Sequence, residues 1–199
     1  IELVVQENGV KTKALLHDQP QILIRGPYYN GWFGYKAVKR TANSQVIMVV
    51  RGIGQAPALK MATDLLRSGN ELLVYLDPGS LGVAFVHDAL AQMGASVRLV
   101  NLLDDQPYHE MERILREQPI ALVASAGADI QHARLAELIK RSGSDAMIVL
   151  TNNHAMTCGE GICGACMIEV AQGEKIKTCK SQLLGEQIAA TINTKLYLG

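Results

Sequence analysis

The chain has 199 residues, 48% of them apolar, enough to build a sizeable core in one or two domains. Its 19 Lys and Arg balance 19 Asp and Glu, and the basic residues are scattered, which sets aside electrostatic capture of nucleic acid or of an anionic membrane surface. The longest apolar runs hold about five residues, far short of the ~20 that cross a bilayer, so a cytoplasmic protein with no membrane partner is expected. The chain opens at Ile1 without the charged start or apolar stretch of a secretory signal, which reads as a processed chain or an excised fragment.

In chain order, residues 1–44 carry short apolar stretches at 3–5, 14–16 and 22–24, and the Asn8-Gly9 pair between the first two predicts a hairpin. At most three strands fit there. The turn-rich run Arg25-Gly26-Pro27-Tyr28-Tyr29-Asn30-Gly31-Trp32 then reads as a loop. From residue 45 the pattern alternates: strands are predicted at 46–50, 72–76, 97–102, 120–124 and 146–150, with four helices between them. The first helix opens at Pro57, buries Leu59, Ala62, Leu65 and Leu66, and stops at Ser68-Gly69. The second buries Val86, Leu90 and Met93. The third runs over 107–118 with Met111, Ile114 and Leu115 on one face, and the fourth over 129–142 with Leu135, Leu138 and Ile139 inward. Such alternation predicts an α/β fold with a doubly wound, parallel five-stranded sheet. Ligands of these sheets bind beyond the strands' carboxyl ends, which singles out the loops 51–56, 77–81 and 125–129.

Residues 151–199 are too short for another full domain and finish with a predicted short helix over 184–190. They hold all four cysteines, spaced Cys158-x4-Cys163-x2-Cys166-x12-Cys179, which is the start of a plant-type 2Fe-2S pattern followed by one further Cys. Gly159, Gly161 and Gly164 remove side chains where a chain wrapped around an inorganic core must come closest. The competing assignment, a structural zinc site, usually pairs its ligands as C-x2-C on both sides, and the spacing here favours iron-sulfur. Clustering of the cysteines in one segment speaks against disulfide staples and for a reducing compartment. The chain thus divides into a residual β segment over 1–44, a nucleotide-binding-type domain over 45–150 and a cluster subdomain over 151–199.

With these motifs the chain resembles the electron-transfer subunits of dihydroorotate dehydrogenase, in the ferredoxin reductase superfamily. Members have a flavin-binding β-barrel, a nicotinamide-nucleotide domain and a C-terminal 2Fe-2S loop, and the last two match residues 45–199 in order. Reductases with an ordinary plant-type ferredoxin domain separate their third and fourth cysteines by far more than the 12 residues found here. The resemblance implies Cys158, Cys163, Cys166 and Cys179 as the cluster ligands. The family loop Gly-Gly-x-Gly-x-Ala-Pro corresponds to Arg51-Gly52-Ile53-Gly54-Gln55-Ala56-Pro57, which implies Gly52, Gly54, Gln55, Ala56 and Pro57 as NAD(P)H-binding residues. Arg51 replaces the first Gly, where it either pairs a phosphate or blocks the pocket. The family's Cys-Gly-Pro loop is replaced by Ser125-Ala126-Gly127. At the flavin junction, Gly-Pro-x-Gly-Asn-Gly in the family, the resemblance implies Gly26, Pro27, Asn30 and Gly31 as cofactor residues, with Tyr29 in place of a Gly. No Arg-x-Tyr-Ser flavin motif occurs, and a fragment or truncated relative that does not hold FAD tightly by itself is expected, the flavin being held by the complete protein or a partner.

Asp77 ends the second strand of the alternating region, either to hold a ribose hydroxyl or as an ordinary turn residue. His154 and Met156 are expected to pack or cap the cysteine loop, and His17, His87, His109 and His132 to be solvated surface. The run Glu110, Glu112, Arg113, Arg116 and Glu117 reads as a charged, exposed helix face. No catalytic acid or base stands out. The expectation is an oxidoreductase subunit in a hetero-oligomer, relaying electrons through a 2Fe-2S centre between flavin or NAD(P)H and a catalytic oxidoreductase partner. By resemblance that partner is a dihydroorotate dehydrogenase catalytic subunit of pyrimidine synthesis or another flavin or iron-sulfur oxidoreductase. The rival is a non-catalytic binding or assembly module with a degenerate nucleotide site and a structural zinc tail.

Overall fold

The structure, a computed structural model, describes residues 5, 7, 9–17, 21–24, 26, 30–170 and 173–192. Five parallel strands form where the apolar runs predict them: β2 (Gln45–Arg51), β3 (Glu71–Asp77), β4 (Ser96–Leu99), β5 (Ile120–Ala126) and β6 (Met147–Thr151). A sixth, β1 (Trp32–Phe33), joins antiparallel at the β6 edge, with Trp32 opposite Thr151, giving the order β1-β6-β5-β2-β3-β4. The expected five-stranded sheet is therefore six-stranded. A two-residue strand carries too little pattern to be read from sequence.

Strand β2 shows why the parallel sheet is buried on both sides. Val46, Met48 and Val50 face one core, made with α3 (Gln55–Arg67) and α4 (His87–Gln92). Ile47 and Val49 face the other, made with α5 (Gln106–Glu117) and α6 (Asp129–Ser142). Each helix turns one stripe inward: Ala58, Met61, Ala62 and Leu65 on α3, Met111, Ile114 and Leu115 on α5, and Leu135, Leu138 and Ile139 on α6. α6 has the predicted bounds, ending where Gly143 takes a left-handed φ of 72°.

The departures are local. Residues 14–16 are not a strand: they lie in α1 (Val10–His17), an exposed helix whose Lys13 N–H bonds Gly9 C=O at 3.0 Å, so the predicted hairpin does not form. Its Leu-Ala-Lys composition suits a helix, and three-residue apolar stretches do not discriminate the two periods. Residues 22–24 are exposed and outside regular structure, and residues 3 and 4 lie outside the described residues. The predicted strand over 97–102 stops at Leu99, although Leu102 is buried in the loop beyond. Met93 is half-exposed rather than core, and Leu59 and Leu66 sit at the core margin. After β6 the chain forms a hairpin of β7 (Met167–Glu169) and β8 (Lys175–Lys177), then α2's counterpart on the far side of the sheet edge: α2 (Tyr35–Arg40) follows β1, and α7 (Gly185–Ala189) packs on β6. Among the described residues no helix is long and apolar enough to cross a membrane.

Candidate functional site

The carboxyl ends of the parallel strands enclose a cavity of about 740 Å³ at the point where the strand order reverses between β2 and β5. Gly52, Gly54, Ala56 and Pro57 line it from the β2–α3 loop, Gly79 and Ser80 from the β3 loop, and Gly127 to Asp129 from the β5 loop. All three loops singled out by the strand-end rule are thus brought together. The lining also includes Thr151, Asn152 and Asn153, which sequence reasoning missed. They follow the last predicted strand, so the same rule, extended to that strand, finds them. Gly54 fits only as glycine, since an added Cβ would lie 2.2 Å from the Ala126 carbonyl oxygen.

The remaining expected cofactor residues are placed differently. Gln55 is fully buried behind the cavity wall, its Nε2 donating to Val83 C=O at 3.0 Å and its Oε1 without a hydrogen-bond partner. Gly31 lines the cavity, whereas Gly26 is exposed and outside the lining. Pro27 lies outside the described residues. Asn30 is buried, and its amide is used inside the protein: Nδ2 donates to Thr178 C=O at 3.1 Å, and Oδ1 accepts from Gln182.

Arg51 neither points free into the cavity nor stays idle. Its Nε donates to Asp77 Oδ2 at 2.7 Å across the β2–β3 register, in which the two residues are directly paired. Asp77 also accepts from Gly79 N–H at 2.7 Å and Leu102 N–H at 2.9 Å. Burial opposes its ionisation, but the Gly79 amide, Arg51 and the Leu102 amide outweigh it and hold the carboxyl below its ordinary value. The carboxylate therefore ties three loops together and, 7% exposed, is turned inward onto these donors.

Behind the Gly127–Asp129 wall lies a buried polar network. His132 is 1% exposed, which corrects the expectation of a solvated histidine. It occupies an inward position of α6 that the pattern of Leu135 and Ile139 already marks. Its Nδ1 lies 2.8 Å from Ser125 Oγ, and its Nε2 3.2 Å from both Thr151 Oγ1 and Asn153 Nδ2. Asn153 Nδ2 also bonds Gly127 C=O at 2.7 Å and Asp129 Oδ1 at 2.8 Å. Gln131 donates to Val49 C=O and Ser125 Oγ, and Ser125 is fully buried. Burial pushes the His132 ring down to about 4, against the opposing pull of Asp129. Ser125 is thus a structural acceptor, not an accessible nucleophile. His17 and His109 are exposed as expected.

The cysteines follow the last cavity residues directly. Cys158 Sγ accepts from Glu160 N–H at 3.4 Å and Cys163 N–H at 3.5 Å, turns made possible by Gly159 and Gly161 at φ of 67° and 77°. The Cys163 and Glu160 amides pull the Cys158 thiol down to about 6. The β7–β8 hairpin sets Thr178 opposite Cys166, with Thr178 N–H on Cys166 C=O at 3.1 Å. The Cys179 amide lowers the Cys166 thiol, and the Cys166 thiol in turn raises that of Cys179. Cys166 and Cys179 are buried, Cys163 is exposed, and the fully buried Thr178 hydroxyl has the Cys166 thiol beside it, which it helps to lower, and no nitrogen or oxygen partner. Among the described residues no three His, Cys, Asp or Glu side chains are gathered closely enough to hold a metal ion as they stand. The donor chemistry suits a thiolate-bound cluster: four free thiols in two pairs, amides directed at sulfur, and one buried hydroxyl beside the Cys166 sulfur. His154 is half-buried and meets Phe33 edge-on, with ring centres 6.2 Å apart, in the packing role expected of it.

No family model matches the chain. It is 26% identical over 161 residues to the electron transfer subunit of dihydroorotate dehydrogenase B (NAD(+)) of Clostridium perfringens, covering 80% of this chain and 62% of the relative. It is 23% identical over 164 residues to the probable counterpart of Methanocaldococcus jannaschii, covering 79% of this chain and 58% of the relative. The chain resembles dihydroorotate dehydrogenase electron-transfer subunits. It spans about three-fifths of the length of these curated electron-transfer subunits. Among solved structures, an NADH-dependent reduced ferredoxin-NADP oxidoreductase, described in work on flavin-based electron bifurcation, superposes with a TM-score of 0.57 at 22% identity. That match covers 73% of this chain and 54% of the other, and it shows a ferredoxin-reductase-like fold.

Proposed function

We propose that this chain is an electron-transfer module of a flavin-dependent oxidoreductase, with a nicotinamide nucleotide at the strand-end cavity and a 2Fe-2S cluster at the cysteine segment. The observation that carries the reading is the adjacency of the two features: Thr151 to Asn153 line the cavity, and Cys158 follows within the same loop. The names of the similar electron transfer subunits support it. Cys158, Cys163, Cys166 and Cys179 would hold the cluster, which when bound supplies one-electron relay. Electrons would pass between flavin, held by the complete protein or by a partner, and a catalytic oxidoreductase subunit.

What the chain's own residues contribute is placement. The Gly52–Gly54 turn lets a phosphate approach backbone closely at the start of α3. Asn30, Asn152 and Gln182 fasten the cysteine segment to the end of the sheet: Asn152 Nδ2 donates to Asn30 C=O at 2.8 Å, and Gly34 N–H donates to Leu183 C=O at 2.8 Å. The amides on Cys158 stabilise a thiolate over a thiol there. No side chain of the cavity is assigned to acid or base work.

The test is the visible spectrum and metal content of anaerobically purified protein. A coloured protein containing iron and sulfide that bleaches with dithionite is the expected result. A colourless protein with stoichiometric zinc would overturn the redox reading in favour of a structural metal tail.

A further inference from the structure

We propose that the space between Arg51 and Arg134 is a subsite for a phosphate monoester, so that the cavity takes NADPH in preference to NADH. The inference rests on the nucleotide reading of the main cavity and deepens it. A side pocket of about 140 Å³ adjoins the cavity, and Arg51 and Ala128 line both. Its other walls include Leu102, Tyr108, Gln131 and, at the far side, Arg134.

An acid at the end of the second strand of such a sheet reads the ribose hydroxyls of NADH, while an arginine nearby accommodates the extra phosphate of NADPH. Here Asp77 is turned to other donors: only 7% exposed, it accepts from Arg51 Nε and from the amides of Gly79 and Leu102. What it does instead is orient an arginine. With Nε fixed on Asp77, the plane of the Arg51 guanidinium is set, and its two Nη groups have no hydrogen-bond partner among the described residues. A third of the side chain is exposed, 33%, so those donors are open to a ligand. A planar fork with free parallel donors is suited to the oxygens of a phosphate.

Arg134 supplies the second cation. It lies over the Tyr108 ring with its guanidinium carbon 3.6 Å from the ring centre, a stacking that limits its rotamers. Its partner Asp105 is 74% exposed, and a surface ion pair of this kind holds little energy, so a dianionic phosphate competes well for the guanidinium. Of the acids nearby, Asp129 on the wall of the adjoining cavity accepts from Asn153, and the charge of Asp77 is compensated by Arg51 and two amides. The residue that breaks the family's glycine loop thus gains a function: Arg51 leaves the loop's remaining glycines in the cavity lining and turns the neighbouring strand end from a reader of hydroxyls into a reader of phosphate.

Calorimetric titration of the 199-residue chain with NADPH and with NADH, on the parent and on Arg51→Lys and Arg134→Ala variants, tests this. NADPH is expected to bind at least about tenfold more tightly, the worth of one charge-assisted hydrogen-bond pair. Arg134→Ala, a change at the surface of α6, is expected to remove most of that preference while leaving NADH affinity within about twofold, on the same scale. Arg51→Lys, which keeps the charge but not the fork, should retain only part of it. Equal affinities, or tighter NADH, would overturn the phosphate subsite and leave the nucleotide reading standing. Loss of both cofactors' binding in parallel in Arg134→Ala would also overturn it. If neither nucleotide binds the parent protein, the nucleotide reading fails and the subsite with it.

Discussion

Acidification should weaken this protein in part through the buried His132. The ring ionises at an ordinary value of 6.5 in an unfolded chain and at about 4 when folded, because burial disfavours the imidazolium. The folded state then binds fewer protons than the unfolded state between these values, so stability rises with pH across that window. The contribution is fully present above 6.5, begins to fall as pH drops below it, and is spent below 4. With ~1.4 kcal/mol per tenfold change in proton activity, the loss is about 2 kcal/mol by pH 5 and about 3 kcal/mol at the acid end. Carboxylates also titrate near the lower end, so the informative quantity is a difference. Urea unfolding of the parent and of His132→Gln at pH 7 and pH 5 supplies it. The variant loses imidazole hydrogen bonds to Ser125 and Thr151, so it is less stable at pH 7, but it has no ring to charge. The gap between the two proteins should therefore narrow by about 2 kcal/mol on going to pH 5. Parallel stability losses in the two proteins would refute the assignment of a buried neutral histidine.

Two further substitutions probe the cavity walls. Gly54→Ala places a methyl 2.2 Å from a backbone oxygen that cannot swing aside, so a loss of ~3 kcal/mol in denaturant unfolding is expected, together with weakened nucleotide binding. Asp77→Asn removes the charge that Arg51 and two amides share, and should cost about 2 kcal/mol at neutral pH. Because the Asp77 carboxyl ionises below its ordinary value, its stabilisation is present above the usual carboxylate range and is lost as pH falls through the folded value. The Asp77→Asn difference should accordingly shrink in acid, which the same unfolding series measures.

The sheet and its helices were readable because the inner strands of the parallel sheet repeat one apolar signal on both faces. In β2 the residues Val46 to Val50 are all apolar, and α6 begins and ends on its own punctuation, Asp129 and Gly143. Where the signal spans two or three residues it fails: β1 rests on Trp32 and Phe33 alone, and the apolar residues of α1 satisfy both a strand and a helix. At the cavity, the strand-end rule located the glycine loops by position. It did not reveal that Asp77 would be committed internally, because that depends on Leu102, 25 residues on, delivering its amide to the same carboxylate. His132 escaped for a related reason. A histidine on a helix looks solvated until its partners are known, and Ser125, Thr151 and Asn153 arrive from two other elements. The ligand role proposed for the cysteines comes from their spacing, a pattern local in sequence.

The Asn30 clamp has a consequence for the order in which the molecule is assembled. Its amide closes on Thr178, 148 residues away, so the clamp can form only after the sheet between them exists. Ordering Asn30 earlier would close a very long loop with little contact to reward it. The cysteine segment therefore docks late, onto a finished platform. Until that step the cysteine side chains stay accessible, and docking is what buries Cys166 and Cys179.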